Sequence, residues 1–130
     1  MAKRERGVIV NVSSIYGIVS PDQRIYEKPG AQKQFIKPVS YAVSKSAVLN
    51  LTKYLATYWA SKNIRVNTLT PGGVFDNQDA DFVKKYSERT PMGRMANPED
   101  MVGPMLLLVS DASAYMTGTN VIVDGGWSAW

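Results

Sequence analysis

The chain has 130 residues, of which 45% are hydrophobic and 20% are charged, values that are typical of one folded domain and exclude an intrinsically disordered chain. The net charge is +4, and the sequence contains neither histidine nor cysteine. These absences exclude a Ser-His-Asp triad, a Cys-His pair and a zinc site built from histidine and cysteine, so we predict no metal site. Any proton transfer must use a carboxylate, a lysine, a tyrosine or a hydroxyl group.

The basic residues are concentrated at the start of the chain. Residues 1–45 hold eight Lys or Arg against three Asp or Glu, whereas the remaining 85 hold seven against eight. A basic segment can bind phosphates or nucleic acid, but no predicted helix carries a continuous basic face with interleaved aromatic residues. We therefore predict no nucleic-acid partner. Without a long apolar run or a signal-peptide pattern, we also predict no membrane partner and a cytoplasmic location.

The chain opens with a predicted strand and a long irregular segment. Residues 7–14, GVIVNVSS, form an apolar, β-branched run that stops at a polar pair, which is typical of a buried parallel strand. Residues 15–39 are rich in proline and mixed charges and show no periodicity. Loops of this length are uncommon and often form lids or binding loops.

A helix and a second strand follow. From Ser40 to about Lys62, apolar residues recur at steps of three and four, which predicts a helix with Ser40 as its N-cap. Residues 64–73, IRVNTLTPGG, predict a strand that ends at the proline and glycines. Residues 78–89 predict a short amphipathic helix with acidic residues in its first turn.

The last third of the chain contains one more helix and one more strand. Asn97 followed by Pro98 and two acids predicts a helix that runs to about Val109, in which Pro104 either causes a kink or removes one backbone hydrogen bond. Residues 120–126 predict a third strand. The alternation of strands and helices predicts an α/β fold with a parallel sheet. About three strands with covering helices correspond to half of a doubly wound domain.

Polar or special residues follow two of the predicted strands and begin the helix between them. They are Ser13 and Ser14, Tyr41 and Lys45, and residues 71–74. Ligands of open α/β sheets bind beyond the carboxyl ends of the strands, so we expect these groups at one rim. Tyr41 and Lys45 lie one helical turn apart, and a lysine ammonium lowers the pKa of a neighbouring phenol, which makes Tyr41 a candidate acid or base. Each group by itself is more often a surface pair, a cap or a turn.

Five segments in this order resemble the carboxy-terminal, catalytic half of the short-chain dehydrogenase/reductases: VIVNVSS, SYAVSKSAV, NIRVNTLTPGGV, TPMGRMANPEDM and YMTGTNVIVDGG. The resemblance implies an NAD(P)-dependent oxidoreductase that transfers a hydride between nicotinamide and a carbinol or carbonyl carbon. By position it implies that Ser14 orients the substrate, Tyr41 is the general acid/base, and Lys45 assists Tyr41 and binds the nicotinamide ribose. The cofactor-binding residues that it implies are Tyr41, Lys45, Pro71, Gly72 and Val74.

The sequence also departs from the family pattern. It contains no Gly-rich turn after a first strand, no acidic residue to hold a ribose and no counterpart of the family's catalytic asparagine. The resemblance thus implies that residues 1–130 form a partial Rossmann-like domain without its amino-terminal nucleotide-binding half. It leaves the choice between NAD and NADP open and predicts that the isolated chain is inactive. The interval of 27 residues between Ser14 and Tyr41 exceeds the family's usual spacing, which makes residues 15–39 a long substrate-side loop.

A weaker resemblance concerns the substrate. The segments SSIYG, PDQRIYE and TPGGVFDNQ resemble family members of bacterial surface-sugar and flagellin-glycan pathways. This resemblance implies a small-molecule substrate derived from a sugar. Arg24, Lys28 and Lys33 of the long loop are candidates to meet an anionic group on such a substrate.

Two other functions remain open at this point. A non-catalytic remnant would act as an association module, and a basic nucleic-acid binder is favoured by charge alone. In the family the helix that carries the tyrosine and lysine also packs against a neighbouring subunit, and here its second face is mixed: Ala42, Ser46, Leu49 and Lys53. The unpaired edge of the first strand also favours association. We therefore predict a homo-oligomer, or association with an amino-terminal half.

Overall fold

The three predicted strands form one parallel sheet in the order β1-β2-β3 in a computed structural model that describes residues 1–130. Strand β1 spans Gly7–Val12, β2 spans Ile64–Pro71 and β3 spans Asn120–Val123. The predicted α/β fold class is confirmed. Each strand ends two or three residues before its predicted boundary, because the serines and glycines that follow already belong to turns.

The chain also forms three α-helices, of which the first and the third pack on the sheet. Helix α1 spans Val39–Trp59, α2 spans Ala80–Arg89 and α3 spans Val102–Val109. Helix α2 begins after Asp79, whose carboxylate accepts a hydrogen bond from the Phe82 backbone N–H. The longest helix, α1, has 21 residues, and no helix is long and apolar enough to cross a membrane.

The structure corrects two predictions about helix ends. The residue that precedes α1 is Pro38 in an extended conformation, and Ser40 is already helical, so Ser40 is not the N-cap. The proline fixes φ and favours this extended entry into the helix. A separate 3-10 turn over Pro98–Met101 precedes α3, so Pro104 lies in the first turn of α3 rather than in a helix interior. A first-turn residue has no intrahelical partner for its N–H, so a proline there breaks no hydrogen bond.

The apolar core consists of two clusters, one between α1 and β2 and one at the carboxyl edge of the sheet. Ala56 of α1 packs against Ile64 and Val66 of β2. A larger cluster lies beyond the carboxyl ends of the strands and consists of Ile15, Tyr16, Ile25, Tyr86, Met95 and Trp127. The side chains of this buried cluster are closely packed against one another at the carboxyl edge of the sheet.

Candidate active site

A cleft of about 640 Å³ opens at the carboxyl edge of the sheet. Ser14 enters it from the end of β1, Tyr41 from the first turn of α1, and Gly72 and Val74 from the turn after β2. The structure thus brings four of the six predicted site residues to one cleft. The other two, Lys45 and Pro71, do not line the cleft. Lys45 lies one helical turn after Tyr41, and Pro71 directly precedes Gly72. The shared direction of the strands explains this convergence.

Tyr41 lies between two lysines and a second tyrosine. The Lys37 Nζ atom is 4.2 Å from the centroid of the Tyr41 ring, and the Lys45 Nζ atom is 5.8 Å from it. The ring meets the Tyr16 ring edge to face, with centroids 6.4 Å apart and an interplanar angle of 80°. Both ammonium groups therefore lie within cation–π distance of the Tyr41 ring.

Lys45 joins α1 to the end of β1. Its Nζ donates to the Val12 carbonyl at 3.1 Å, and its own carbonyl accepts from the Ser13 hydroxyl at 2.7 Å. Gly17 makes this approach possible, since a Cβ at that position would lie 2.7 Å from the Lys45 carbonyl oxygen. These contacts fix the lysine one turn behind Tyr41.

Ser14 is 8% exposed and faces the cleft. Its Oγ accepts a hydrogen bond from the Tyr16 backbone N–H at 3.2 Å, and it caps the 3-10 turn Ile15–Gly17. No protein group accepts the Ser14 hydroxyl proton, so this donor is available to a ligand oxygen.

The turn after β2 is held from both sides. The Gly72 N–H donates to the Val123 carbonyl at 2.9 Å, and the Gly73 N–H donates to the Tyr86 hydroxyl. A Cβ on Gly73 would lie 2.6 Å from the Tyr86 ring, so only glycine permits this contact. The Val74 carbonyl accepts from the Gln78 side chain at 2.8 Å, which fixes the last residue of the turn beside the cleft.

Aromatic side chains form much of the cleft wall. Tyr26 packs against Phe35 and against Phe82, with centroids 5.3 Å apart in both pairs. The Tyr26 hydroxyl donates to the Tyr16 hydroxyl at 2.9 Å. Burial raises the pKa of Tyr16 well above its ordinary value, so the Tyr16 phenol in the cleft wall stays neutral.

Polar contacts tie the long loop to α2. Lys28 pairs with Asp79 at 3.1 Å, and Arg89 pairs with Asp22 at 3.6 Å. The Lys85 ammonium donates to a backbone carbonyl of the loop, that of Glu27. Exposed ion pairs of this kind contribute about 0–1 kcal/mol each, so they orient the loop more than they stabilise the fold.

The predicted cations of the long loop are not the ones that reach Tyr41. Arg24 forms an exposed ion pair with Asp22 at 2.8 Å and lies outside the cleft, as does Lys33. Lys28 lines the cleft but is paired with Asp79. Sequence analysis missed Lys37, as well as the wall residues Tyr16 and Tyr26, because nothing local distinguishes them. The one available signal for Lys37 is its place immediately before Pro38 and α1.

Comparisons with known proteins agree with this architecture. The family model described as enoyl-(acyl carrier protein) reductase matches residues 1–128. The post-translational flagellin modification protein A of Campylobacter coli is 38% identical over 125 residues, which are 96% of this chain and 47% of that protein.

Two solved structures are similar over nearly the whole chain. The short-chain dehydrogenase from Leptospira borgpetersenii, solved with bound NAD+, is 44% identical with a TM-score of 0.87, and the match covers 97% of this chain and 46% of that one. A gluconate 5-dehydrogenase from Burkholderia cenocepacia, in complex with NADP and tartrate, is 29% identical with a TM-score of 0.80, over 99% of this chain and 48% of that one. This chain spans about half the length of the relatives it matches. The family model and the relatives together show that the chain belongs to the short-chain dehydrogenase/reductase family.

Proposed function

We propose that this chain supplies the proton-transfer residues of an NAD(P)-dependent oxidoreductase that interconverts a carbinol and a carbonyl group on a sugar-like small molecule. The observation that carries the proposal is the meeting of Ser14, Tyr41 and the turn after β2 in one cleft. The relatives solved with NAD+ and with NADP support a nicotinamide cofactor and leave either form open. The flagellin-modifying and gluconate-oxidising relatives support a sugar-like substrate.

The proposed roles follow from the contacts of three residues. In the oxidative direction, the O–H proton of the carbinol passes to the Tyr41 phenolate while the carbon loses a hydride, and the C–O bond becomes C=O. The Lys45 ammonium stabilises the phenolate, and the free hydroxyl proton of Ser14 donates to the reacting oxygen. When bound, the nicotinamide ring supplies the hydride acceptor, so that NAD(P)+ is reduced to NAD(P)H.

The donor set beside the cleft fits the nicotinamide end of such a cofactor. The Lys45 ammonium has three N–H donors, and a single protein acceptor, the Val12 carbonyl, takes one of them. The others are available to ribose hydroxyls. Gly72 and Val74 of the turn after β2 line the cleft and are available to the nicotinamide ring.

Calorimetric titration with NADH and with NADPH, on this chain associated with an amino-terminal nucleotide-binding half from a relative, tests the cofactor proposal first, and we expect one of them to bind in the micromolar range. Oxidation of polyols and sugar acids, followed by nicotinamide absorbance, then tests the chemistry. Tyr41→Phe should lower turnover by about 10²–10⁴-fold, because the proton carrier is lost. Tyr115→Phe, at a fully exposed tyrosine, is the matched control. Unchanged turnover in Tyr41→Phe, or no binding of either coenzyme, would contradict the proposal.

One observation favours an association module as a second candidate function. Helix α1 exposes a row of apolar side chains along one face, here called the α1 ridge: Val43, Leu51, Tyr54 and Tyr58. This ridge is distinct from the mixed face that the sequence suggested, where Ala42 and Leu49 are half-buried. An association module needs the ridge but has no use for Ser14, Tyr41 and Lys45 together, so loss of assembly without loss of turnover separates the two functions.

A further inference from the structure

We propose that Lys37 is a carboxylate-binding, specificity-determining residue of the cleft, and that the substrate is accordingly an anionic hydroxy acid of sugar type. The inference rests on the proposed function, since it assumes that the substrate's hydroxyl group meets Tyr41. It adds the recognition element that selects which hydroxyl compounds enter.

The Lys37 ammonium lies beside the Tyr41 ring in the cleft. Lys37 lines the cleft and is half-buried, and its Nζ lies 4.2 Å from the centroid of the Tyr41 ring. A substrate whose hydroxyl group contacts the Tyr41 phenol therefore places its neighbouring carbons within reach of this ammonium. A carboxylate a few bonds away from the reacting carbon meets Lys37 without any rearrangement of the loop.

Two hydrogen bonds to Gln23 hold the Lys37 backbone in place. The Lys37 N–H donates to the Gln23 side-chain oxygen at 2.9 Å, and the Gln23 side-chain nitrogen donates to the Lys37 carbonyl at 3.2 Å. Gln23 begins a 3-10 turn, Gln23–Tyr26, whose Ile25 is buried in the core cluster. A lysine with a fixed backbone loses less entropy when it binds a ligand.

Lys37 has no ion-pair partner, although the cleft lining holds three carboxylates against two ammonium groups. Among the cations of the cleft lining, Lys28 is neutralised by Asp79, whereas Lys37 belongs to none of the six ion pairs of the molecule. The other two carboxylates of the lining, Glu27 and Asp81, are exposed and form no ion pair. Lys37 is therefore the one half-buried ammonium that faces the cleft with no protein carboxylate to pair with it. A ligand carboxylate completes such a site.

The wall and the volume suit the same ligand class. The aromatic side chains Tyr26, Phe35 and Phe82 offer apolar faces to the carbon skeleton of a polyol. A volume of about 640 Å³ is ample for a six-carbon acid. A tartrate in the related gluconate 5-dehydrogenase carries the same two kinds of group, hydroxyl and carboxylate.

The test compares two probes that differ in one group: D-gluconate, and D-glucitol, in which a CH₂OH replaces the carboxylate. Their affinities for this chain are measured by calorimetry. We expect gluconate to bind about tenfold more tightly than glucitol, and Lys37→Gln to abolish that difference by weakening gluconate alone, as loss of one charge-assisted hydrogen bond implies. Lys33→Gln, which removes the same charge from the same loop outside the cleft, should change neither affinity.

The proposal is overturned if gluconate binds no better than glucitol, if neither probe binds, or if Lys37→Gln keeps the preference. A hydride-transfer assay with the same probes, on this chain associated with an amino-terminal nucleotide-binding half, separates this failure from failure of the proposed function. If gluconate binds in a Lys37-dependent manner but is not oxidised, the anion site is supported and the dehydrogenase function is refuted. If both probes are oxidised equally well, the dehydrogenase function is supported and the anion site is refuted.

Discussion

At the scale of single residues, Tyr86 connects the core to the turn after β2. Its ring stacks on Trp127, with centroids 4.3 Å apart and an interplanar angle of 20°. Its hydroxyl accepts the Gly73 N–H, and it is 3% exposed. Burial is the largest cause that raises the pKa of Tyr86 to about 12. The neutral Tyr86 phenol thus links Trp127 of the core cluster to Gly73 of the turn that lines the cleft.

The raised pKa predicts loss of stability at alkaline pH. The unfolded chain releases the Tyr86 proton near pH 10 and the folded chain near pH 12, so the free energy of unfolding falls between these values by about 1.4 kcal/mol per pH unit. Tyr86→Phe should be less stable at pH 8, because the Gly73 N–H loses its acceptor, but should show a shallower decline above pH 10. Urea denaturation against pH measures both effects. Tyr115→Phe is the control, and an identical slope in all three proteins would refute the prediction.

At the scale of elements, Arg65 fastens the end of α3 to the sheet. From β2 its guanidinium donates to the carbonyls of Leu108 and Ser110, at 3.2 and 3.0 Å, and to the hydroxyl of Ser113 at 2.9 Å. It also reaches the Met116 carbonyl at 3.3 Å. The last carbonyls of a helix have no intrahelical partners, so a cation at this end satisfies them and the helix dipole together.

Replacement of Arg65 by methionine should lower the free energy of unfolding by about 3 kcal/mol, since several charge-assisted hydrogen bonds are lost while the aliphatic stem is kept. The midpoint of urea denaturation reports the change. Arg6→Met is the matched control, because Arg6 meets Asp111 at 3.8 Å in an exposed pair and should matter by less than about 1 kcal/mol. Equal losses in the two variants would show that Arg65 has no special role.

At the scale of the whole molecule, one face of α1 carries apolar side chains that nothing in the chain covers. Within the α1 ridge, Tyr54 and Tyr58 stack with centroids 6.0 Å apart, yet they are 64% and 60% exposed. Strand β1 is also an edge strand, with β2 as its only neighbour. Contiguous exposed apolar surface and an unpaired edge both favour association.

We expect this chain to self-associate through the α1 ridge. Leu51→Glu should raise the dissociation constant at least about tenfold, because burial of one leucine contributes about 1.5–3 kcal/mol. Sedimentation velocity over a concentration series measures the shift. Lys53→Glu introduces a glutamate at an exposed position of α1 outside the ridge, with an even larger change of charge, and should leave assembly intact. A wild-type chain that stays monomeric at high concentration would contradict the prediction.

The sequence by itself determined the elements, their order and the family. Apolar periodicity and turn residues are local signals, so they located the three strands and the three helices to within a few residues. The rule that ligands bind beyond the carboxyl ends of parallel strands then predicted that Ser14, Tyr41, Gly72 and Val74 would meet. The catalytic and cofactor roles of these residues stay predictions, because they depend on ligands.

Only the tertiary structure decided which side chains complete the cleft. Lys37 lies over Tyr41, and Lys28 pairs with Asp79, because the irregular loop takes a shape set by contacts with α2 and the core cluster. Arg65 likewise finds its acceptors more than 40 residues along the chain. Such contacts join residues that are distant in sequence and follow no period. The physical reason is that a loop without repeating backbone hydrogen bonds has no local preference strong enough to fix its conformation, so long-range packing decides it.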